Sequence, residues 1–131
     1  VSNDPSLSED YYDVSGVLQA NSGNQLAYVP ELSYVLGLDK VLSIFGMPGY
    51  ISIDYSFTGD RYTSQANELT LPSYSIANMR VGVESNNRSM EVFISNIGDE
   101  DAYLSRYNDF GDIRRTQNRP RVIGLRFRYR Y

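Results

Sequence analysis

The C-terminal segment "RVIGLRFRYRY", Arg121 to Tyr131, carries the most regular pattern in the sequence. Hydrophobic or aromatic residues occupy every second position from Ile123 to Tyr131, and Gly124 followed by three arginines fills the positions between them. Because successive side chains of a β-strand point to opposite faces, the segment predicts a strand with one apolar and one cationic face. A shift of one residue would exchange the two faces, so the alternation specifies which residues share a face.

The same period of two recurs along the chain from residue 29 onward. It marks residues 29–38, 50–59, 74–85 and the segment that follows a turn at 86–88. Phe93 interrupts the alternation of that last segment, in which Met90, Val92 and Ile94 share a face. The sequence therefore predicts an all-β fold, an antiparallel meander of about five long strands.

Turn and polar residues define the remaining segments. Residues 39–49, 60–73 and 99–120 are predicted to connect the strands, the last as a long polar loop. The N-terminal stretch, residues 1–27, is polar and loop-like, with a short strand expected near residues 14–18. By size the chain forms at most one domain.

The composition excludes several classes of function. With 12 basic and 16 acidic residues and a net charge of −4, the chain lacks the basic character of a nucleic-acid-binding protein. It contains no cysteine and no histidine, so disulfides, thiolate metal sites and the commonest general base are all excluded. Asp99, Glu100 and Asp101 lack the ligand spacing of a calcium loop and are predicted to form a solvated acidic turn. We therefore predict neither an enzyme nor a cofactor.

The apolar faces leave two alternatives open. A soluble sheet-forming binding module, for a ligand such as carbohydrate, would enclose its aliphatic residues and gather its tyrosines into one exposed patch. A membrane barrel would turn its apolar faces to lipid and its polar faces to a wet lumen. The barrel requires one uncovered band, formed by Leu32, Leu36, Ile51, Ile53, Met79, Val81 and Leu125.

Strand length and aromatic placement favour the membrane. Membrane-crossing strands need about 9–11 residues, whereas strands of soluble proteins most often have about 5–6. Tyr129 and Tyr131 lie at one end of the last strand, and Tyr55 and Phe57 lie at the far end of theirs. In an antiparallel meander these pairs would form aromatic girdles at opposite rims. A small eight-stranded barrel would need more strands than the sequence predicts.

The last segment also resembles the C-terminal assembly signal of bacterial outer-membrane barrels. The signal ends on an aromatic residue, with hydrophobic residues at every second position before it. The matching residues here are Ile123, Leu125, Phe127, Tyr129 and Tyr131. The resemblance implies recognition by the outer-membrane insertion machinery and a last strand that ends at the periplasmic side.

Four motifs in the same order resemble the C-terminal barrel segment of TonB-dependent receptors. They are "GNQLAYVPELSY" (23–34), "GDRYTSQANELTLPSYSIANMRVGVES" (59–85), "NIGDEDAY" (96–103) and "RPRVIGLRFRYRY" (119–131). The third departs from the family pattern: Ile97 and Gly98 replace Leu-Phe, and one extra residue precedes Tyr103. The resemblance covers roughly residues 23–131.

The resemblance implies that residues 1–131 are a C-terminal fragment of such a receptor barrel, with residues 1–27 as an extracellular loop and residues 28–131 as strands and loops. The receptors are outer-membrane active transporters that take up a siderophore, vitamin or oligosaccharide with energy from the TonB complex. They have an N-terminal plug and a barrel of twenty-two strands, neither of which this sequence contains. The implied partners are the remainder of the barrel, the plug, the TonB complex and the outer-membrane lipid.

An implied orientation follows from the periplasmic end of the last strand. The turn at 86–88 and the connection 39–49 become periplasmic, and the segments 60–73 and 99–120 become extracellular. The residues expected to face the lumen are Asp54, Asn78, Arg80, Glu84, Arg126, Arg128 and Arg130. Those proposed to contact a ligand from the loops are Arg61, Tyr62, Gln65, Asn67, Tyr103, Arg106, Tyr107, Arg114 and Arg115. Arg114 and Arg115 are also candidates for contact with the phosphates of lipopolysaccharide.

Overall fold

The structure, a computed structural model, describes residues 2, 4–109 and 112–130. It assigns β1 (Tyr11–Tyr12), β2 (Leu18–Ala20), β3 (Ser33–Ile44), β4 (Met47–Thr58), β5 (Arg61–Tyr62), β6 (Thr70–Leu71), β7 (Tyr74–Ser85), β8 (Arg88–Ser95), β9 (Tyr103–Asp109), β10 (Asp112–Gln117) and β11 (Val122–Tyr129). Within these ranges no helix is long and apolar enough to cross a membrane.

Five strands form one sheet in the order β11-β8-β7-β4-β3. Each of them pairs with the next one along the chain, so the predicted all-β antiparallel meander is confirmed. Strands β3, β4 and β7 each contain 12 residues, a length typical of membrane-crossing strands. The pairing of β7 with β8 runs from Met79 opposite Ile94 to Ser85 opposite Arg88.

The predicted connection at residues 39–49 is wrong. Strand β3 continues to Ile44 and β4 begins at Met47, so only Phe45 and Gly46 join them. Both residues have positive φ, 52° and 77°, which is the backbone that closes a two-residue hairpin between twisted strands. Phenylalanine is not a typical turn residue, so residue type did not indicate so tight a turn at this position.

The predicted long loop at residues 99–120 is also wrong, because it contains the β9–β10 hairpin. Strand β10 is exposed along its whole length. A strand that is wet on both faces needs no apolar stripe, so a search for alternating hydrophobicity misses it. Phe110 and Gly111, which lie between the two strands, are outside the described residues.

Two shorter hairpins were likewise missed or misplaced. Strands β5 and β6 pair within the predicted connection 60–73. Strands β1 and β2 pair within the N-terminal stretch, where the sequence predicted a strand at 14–18 instead. With two or three residues each, these strands are too short to show a period.

The chain forms two compact units. The first comprises Val1–Tyr34, Phe57–Tyr74 and Asp101–Asn118, and the second comprises Val35–Ser56, Ser75–Glu100 and Arg119–Tyr131. Every buried hydrophobic side chain among the described residues belongs to the first unit: Ala20, Leu71 and Ala102. The buried side chains of the second unit are polar, Ser52 and Asn96. The described residues of the large sheet therefore enclose no hydrophobic core.

Candidate functional site: the two faces of the sheet

One face of the sheet is a continuous apolar surface. Register places its side chains in three rows across β7, β8 and β11: Met79–Ile94–Ile123, Val81–Val92–Leu125 and Val83–Met90–Phe127. On β11 the three side chains remain 65% to 68% exposed. Cross-strand neighbours thus contact one another along each row, while nothing in the described part of the chain covers the surface they form.

The same face extends over β3 and β4. Leu36 and Leu38 are more than half exposed, and Ile53 is 37% exposed. None of the seven residues that a membrane barrel requires in an uncovered band is buried: Leu32, Leu36, Ile51, Ile53, Met79, Val81 and Leu125. The aliphatic residues are therefore displayed rather than enclosed.

Aromatic rings occur near both ends of the long strands. The ring of Tyr34 stacks on that of Phe57, with centroids 5.2 Å apart. At the end of the sheet where β7 turns into β8, the Arg88 guanidinium lies 5.8 Å from the centre of the Tyr129 ring. An aromatic ring with an apolar body and a polar tip suits a boundary between lipid and water.

The opposite face is polar and hydrogen-bonded across strands. Asn78 Nδ2 on β7 donates to Asp54 Oδ2 on β4 at 2.6 Å, and Arg80 Nη2 donates to Ser52 Oγ at 3.0 Å. The Asn78 side chain is used twice, since its Oδ1 accepts the backbone N–H of Asn96 at 2.9 Å. These bonds satisfy polar groups that would otherwise be desolvated between strands.

A longer row on this face spans four strands. The Tyr50 hydroxyl on β4 donates to a carboxylate oxygen of Glu91 on β8, and Arg126 Nη1 on β11 donates to the other oxygen at 2.6 Å. Strand β7 separates β4 from β8, and the Tyr50 ring crosses it directly over Gly82. A Cβ on Gly82 would lie 2.5 Å from a ring carbon, so only glycine leaves room for this crossing.

Phe93 follows the same construction on the neighbouring row. It lies on the polar face directly opposite Gly124 of β11, and a Cβ there would lie 2.3 Å from its ring. The Arg126 guanidinium lies 5.4 Å from the centre of that ring. The interruption that Phe93 makes in the apolar alternation is therefore a ring placed over a glycine, and Met90, Val92 and Ile94 do share the apolar face.

Six of the residues expected to face the lumen, all but Arg130, lie on strands of the large sheet. Pairing and strand alternation put all six on the polar face: Asp54, Asn78, Arg80, Glu84, Arg126 and Arg128. Arg130 follows the last strand, and its N–H donates to the Asn87 carbonyl at 2.8 Å. A shallow cavity of about 190 Å³ near this turn is lined by Glu84, Glu91 and the arginines of β11 and its end. Sequence reasoning missed Tyr50 and Glu91, although the period of two already placed both on this face.

Arg61, a candidate ligand residue, is instead part of the internal structure of the first unit. It is only 5% exposed, and its Nη2 donates to the carbonyls of Tyr103 and Leu104 at 3.1 Å and 3.3 Å. Its guanidinium also lies 5.3 Å from the centre of the Tyr74 ring. Arg61 therefore joins the loop between β4 and β7 to the start of β9.

Asn67 joins two loops in a similar way. Its Oδ1 accepts the backbone N–H of Gln25 at 2.7 Å, and its Nδ2 donates to the Gln25 carbonyl at 2.8 Å. The side chain thus pairs with the backbone of the N-terminal stretch as a neighbouring strand would. The two hydrogen bonds therefore hold the loop between β5 and β6 against the N-terminal stretch.

The remaining ligand candidates are more accessible. Tyr62 and Arg106 are half-buried, whereas Gln65, Arg114 and Arg115 are exposed and Tyr107 is 50% exposed. Tyr103 is half-buried, and its hydroxyl accepts a hydrogen bond from Arg115 Nη1 at 2.8 Å. The described residues contain no cluster of acidic side chains that could hold a metal ion.

The residues of the predicted assembly signal can be placed in part. Ile123, Leu125, Phe127 and Tyr129 lie on one face of β11, opposite residues of β8. Tyr131 is outside the described residues. Recognition of this segment by the insertion machinery stays a prediction.

Comparison with known proteins identifies the fold. No protein-family model matches the sequence. A search of curated proteins also gives no significant match. The structure is similar to that of the ferric yersiniabactin uptake receptor FyuA from Yersinia pestis, with a TM-score of 0.77 and 17% sequence identity. The match covers 86% of this chain and 18% of the receptor chain. The predicted resemblance to a TonB-dependent receptor is thus confirmed at the level of the fold.

Proposed function

We propose that this chain forms part of the wall of a TonB-dependent transporter in the bacterial outer membrane. The observation that carries the proposal is the asymmetry of the large sheet, which has an exposed apolar face and a hydrogen-bonded polar face. Among the described residues of its unit, no hydrophobic side chain is buried. The fold shared with an uptake receptor supports it. Uptake of a scarce nutrient, rather than catalysis, is the corresponding function.

The two faces of the sheet suit different surroundings. A continuous exposed apolar face is unusual on a soluble monomer, and lipid would cover it without further protein. The polar face cannot meet lipid, since an arginine near the bilayer centre costs roughly 2–4 kcal/mol. The three apolar rows, including that of Val92 and Leu125, therefore face lipid, and Glu91 and Arg126 face a water-filled lumen.

The edges of the sheet indicate further strands as partners. Strands β3 and β11 each pair on only one side within the described sheet. An unpaired backbone group in hydrocarbon costs several kcal/mol, so both edges need partners in a membrane. We propose that the remainder of a barrel supplies them and that a plug domain occupies the lumen.

The proposed orientation puts the tight turns in the periplasm. The turns at Phe45–Gly46 and Asn86–Asn87 and the end of β11 lie at the same end of the antiparallel sheet. The long connections, which form hairpins of their own, are then extracellular. Tyr62, Gln65, Arg106, Tyr107, Arg114 and Arg115 remain candidates for contact with a siderophore, vitamin or oligosaccharide. Arg61, Asn67 and Tyr103 would shape the loops that carry them.

The alternative, a soluble binding module for a ligand such as a carbohydrate, would enclose its aliphatic residues. Leu36, Leu38 and Leu125 are instead more than 60% exposed. The alternative therefore predicts a chain that stays soluble and monomeric without detergent.

A single introduced tryptophan tests which face meets lipid, because the chain contains none. We would compare Leu125→Trp, on the apolar face, with Arg128→Trp, on the polar face of the same strand. In vesicles of brominated phosphatidylcholine, we expect strong quenching of fluorescence for L125W and little for R128W. Circular dichroism of both variants confirms that each retains the β-sheet.

Equal quenching of both variants would contradict the assignment of faces. A wild-type chain that elutes from size exclusion as a β-rich monomer without detergent would contradict the membrane proposal as a whole. Transport itself requires the complete receptor and is tested by nutrient uptake with and without an active TonB complex.

A further inference from the structure

Two arginines face each other across the β9–β10 hairpin. Arg115 is the register partner of Arg106, so their side chains leave the same face of the hairpin with Cβ atoms about 4.5–5.5 Å apart. Like charges directly opposite are destabilising. No ion pair from either arginine to a carboxylate occurs in the described part of the chain.

A β-bulge brings a third residue to this face. Gln117 pairs with Tyr103 and Thr116 with Ser105, so Leu104 has no partner on β10. One extra residue reverses the alternation and places Tyr103 on the same face as Arg106. There the Arg115 guanidinium lies 5.0 Å from the centre of the Tyr103 ring, and Arg115 Nη1 donates to the Tyr103 hydroxyl at 2.8 Å.

Arg61 holds this bulge in place. The two carbonyls at its centre, of Tyr103 and Leu104, both accept hydrogen bonds from the buried Nη2 of Arg61. Arg61 thus fixes the bulge, the bulge orients Tyr103, and Tyr103 holds Arg115 beside Arg106. The Arg115 charge is thus positioned before any ligand arrives, which lowers the entropic cost of binding.

We propose that Arg106 and Arg115 bind the phosphate group of a phosphate monoester. Such a group carries about −1.5 to −2 charges at pH 7, which matches two guanidinium groups, whereas one carboxylate would leave a charge uncompensated. Guanidinium groups also bind phosphate oxygens through paired N–H donors. Asp101 bonds to Gln117 at the Tyr103 end of this face, at 2.8 Å, and leaves the arginine pair open.

The pair differs from the one that the sequence singled out. Arg114 is opposite Tyr107 and therefore leaves the other face of the hairpin. Adjacent arginines in the sequence are thus separated, and arginines distant in the sequence are joined. Both arginines belong to the first compact unit, so the proposed site does not depend on whether the large sheet lies in a membrane.

The test is a titration of the full chain, folded in uncharged detergent micelles, with inorganic phosphate. Binding would be measured from the broadening of the ³¹P resonance. We expect saturable binding that becomes about tenfold weaker in R106Q and in R115Q, since each loses charge-assisted hydrogen bonds. R115K keeps the charge but loses the planar guanidinium group. Its affinity for phosphate should lie between that of R115Q and that of the wild type.

The matched control is R121Q, which removes the same charge from an arginine already paired with Asp99 at 3.6 Å. It should bind phosphate like the wild type. Absence of saturable binding to a β-rich wild-type chain, or equal weakening in R121Q and R115Q, would overturn the proposal.

The source of the phosphate is decided by a second arm. Vesicles of phosphatidylcholine would be compared with vesicles that also contain monophosphoryl lipid A. Retention of the wild type, but not of R115Q, on the second vesicles alone assigns the site to a lipid headgroup. Binding of inorganic phosphate without that preference assigns it to a soluble phosphate compound.

Discussion

Glycine has a specific role in this sheet, because two glycines lie under aromatic rings. The rings of Tyr50 and Phe93 cover Gly82 and Gly124, and both rings belong to the polar face. An aromatic ring over a cross-strand glycine shields its backbone and fills the space that a side chain would occupy. The two pairs differ in span, since the Tyr50 side chain extends across the whole of β7 and its hydroxyl bonds to Glu91 on β8.

The first prediction concerns Gly124→Ala. The added Cβ would meet the Phe93 ring at 2.3 Å, so ring or strand has to move. We expect the free energy of unfolding in detergent to fall by about 1–3 kcal/mol, the usual cost of overpacking. Urea titration followed by circular dichroism measures this change.

Gly37→Ala is the matched control, because nothing lies within 4 Å of a Cβ at Gly37 on β3. Its free energy of unfolding should stay within about 1 kcal/mol of the wild type. The double variant F93A/G124A should lose less free energy of unfolding than the two single variants lose together, since the clash between the ring and the added Cβ is removed. Strict additivity would show that Phe93 and Gly124 do not interact.

The second prediction concerns the carboxylate of Asp13, between β1 and β2. It accepts hydrogen bonds from the Ser15 hydroxyl at 2.6 Å and from the backbone N–H groups of Ser15 and Val17. The Ser15 hydroxyl, first among these donors, lowers the pKa of Asp13 from its ordinary value of 3.8. Because the pKa is lower in the folded chain, the bonds are complete above 3.8 and are lost as pH falls through the folded pKa.

Amide chemical shifts of Ser15 and Val17 should therefore titrate below pH 3.8 and together with the Asp13 carboxyl. In Ser15→Ala the midpoint should move back toward the ordinary value. A midpoint that is the same in both proteins would mean that the Ser15 hydroxyl does not stabilise the charged form.

Among the elements, the turn between β3 and β4 holds an unusual residue. Phe45 has a φ of 52° and is 95% exposed. A left-handed backbone is unfavourable for a bulky side chain, and asparagine adopts it more readily. We predict that Phe45→Asn raises the free energy of unfolding in detergent by up to about 1 kcal/mol.

Gly46→Ala is the companion variant, with the opposite sign. At a φ of 77° alanine is strained, so its free energy of unfolding should fall by about 1 kcal/mol or more. A lower value for F45N as well would show that the Phe45 ring makes a stabilising contact, for example with lipid headgroups, that outweighs the strain.

The strands also show which parts of the fold could be predicted from the sequence. Alternation identified the five strands of the large sheet and their polar faces, because each of them separates an apolar from a polar surface. It did not identify the second half of β3 or the start of β4, which were predicted as a connection. It could not identify β9 and β10, whose arginines and tyrosines are wet on both sides, nor the Phe45–Gly46 turn. The Arg61 contacts with Tyr103 and Leu104 join residues about forty positions apart, and a pattern of local period carries no information about such pairs.

At the scale of the whole molecule, the proposed environment reverses the sign of one substitution. In water, Leu125→Arg replaces a leucine that is 67% exposed and should improve solubility. In a bilayer the same arginine faces lipid and should cost up to roughly 2–4 kcal/mol. We predict more soluble chain without detergent and less folded chain in vesicles, measured by sedimentation and by protease resistance.

Glu84→Arg serves as the control, because it introduces the same residue on the polar face. It should leave the folded fraction in vesicles nearly unchanged. Equal losses of the folded fraction in vesicles for L125R and E84R would indicate that both faces of the sheet lie in the same environment.

The glycine–aromatic pairs resolve an ambiguity that alternation leaves in any sheet. Sliding one strand by two residues restores every side chain to its own face, so apolar and polar surfaces alone cannot distinguish such neighbouring alignments. Sliding β11 along β8 by two residues in either direction would put Val122 or Arg126, instead of Gly124, under the Phe93 ring. The Phe93 ring and the glycine beneath it thus specify the register between β8 and β11. The sheet selects one of several otherwise equivalent pairings by shape rather than by hydrophobicity.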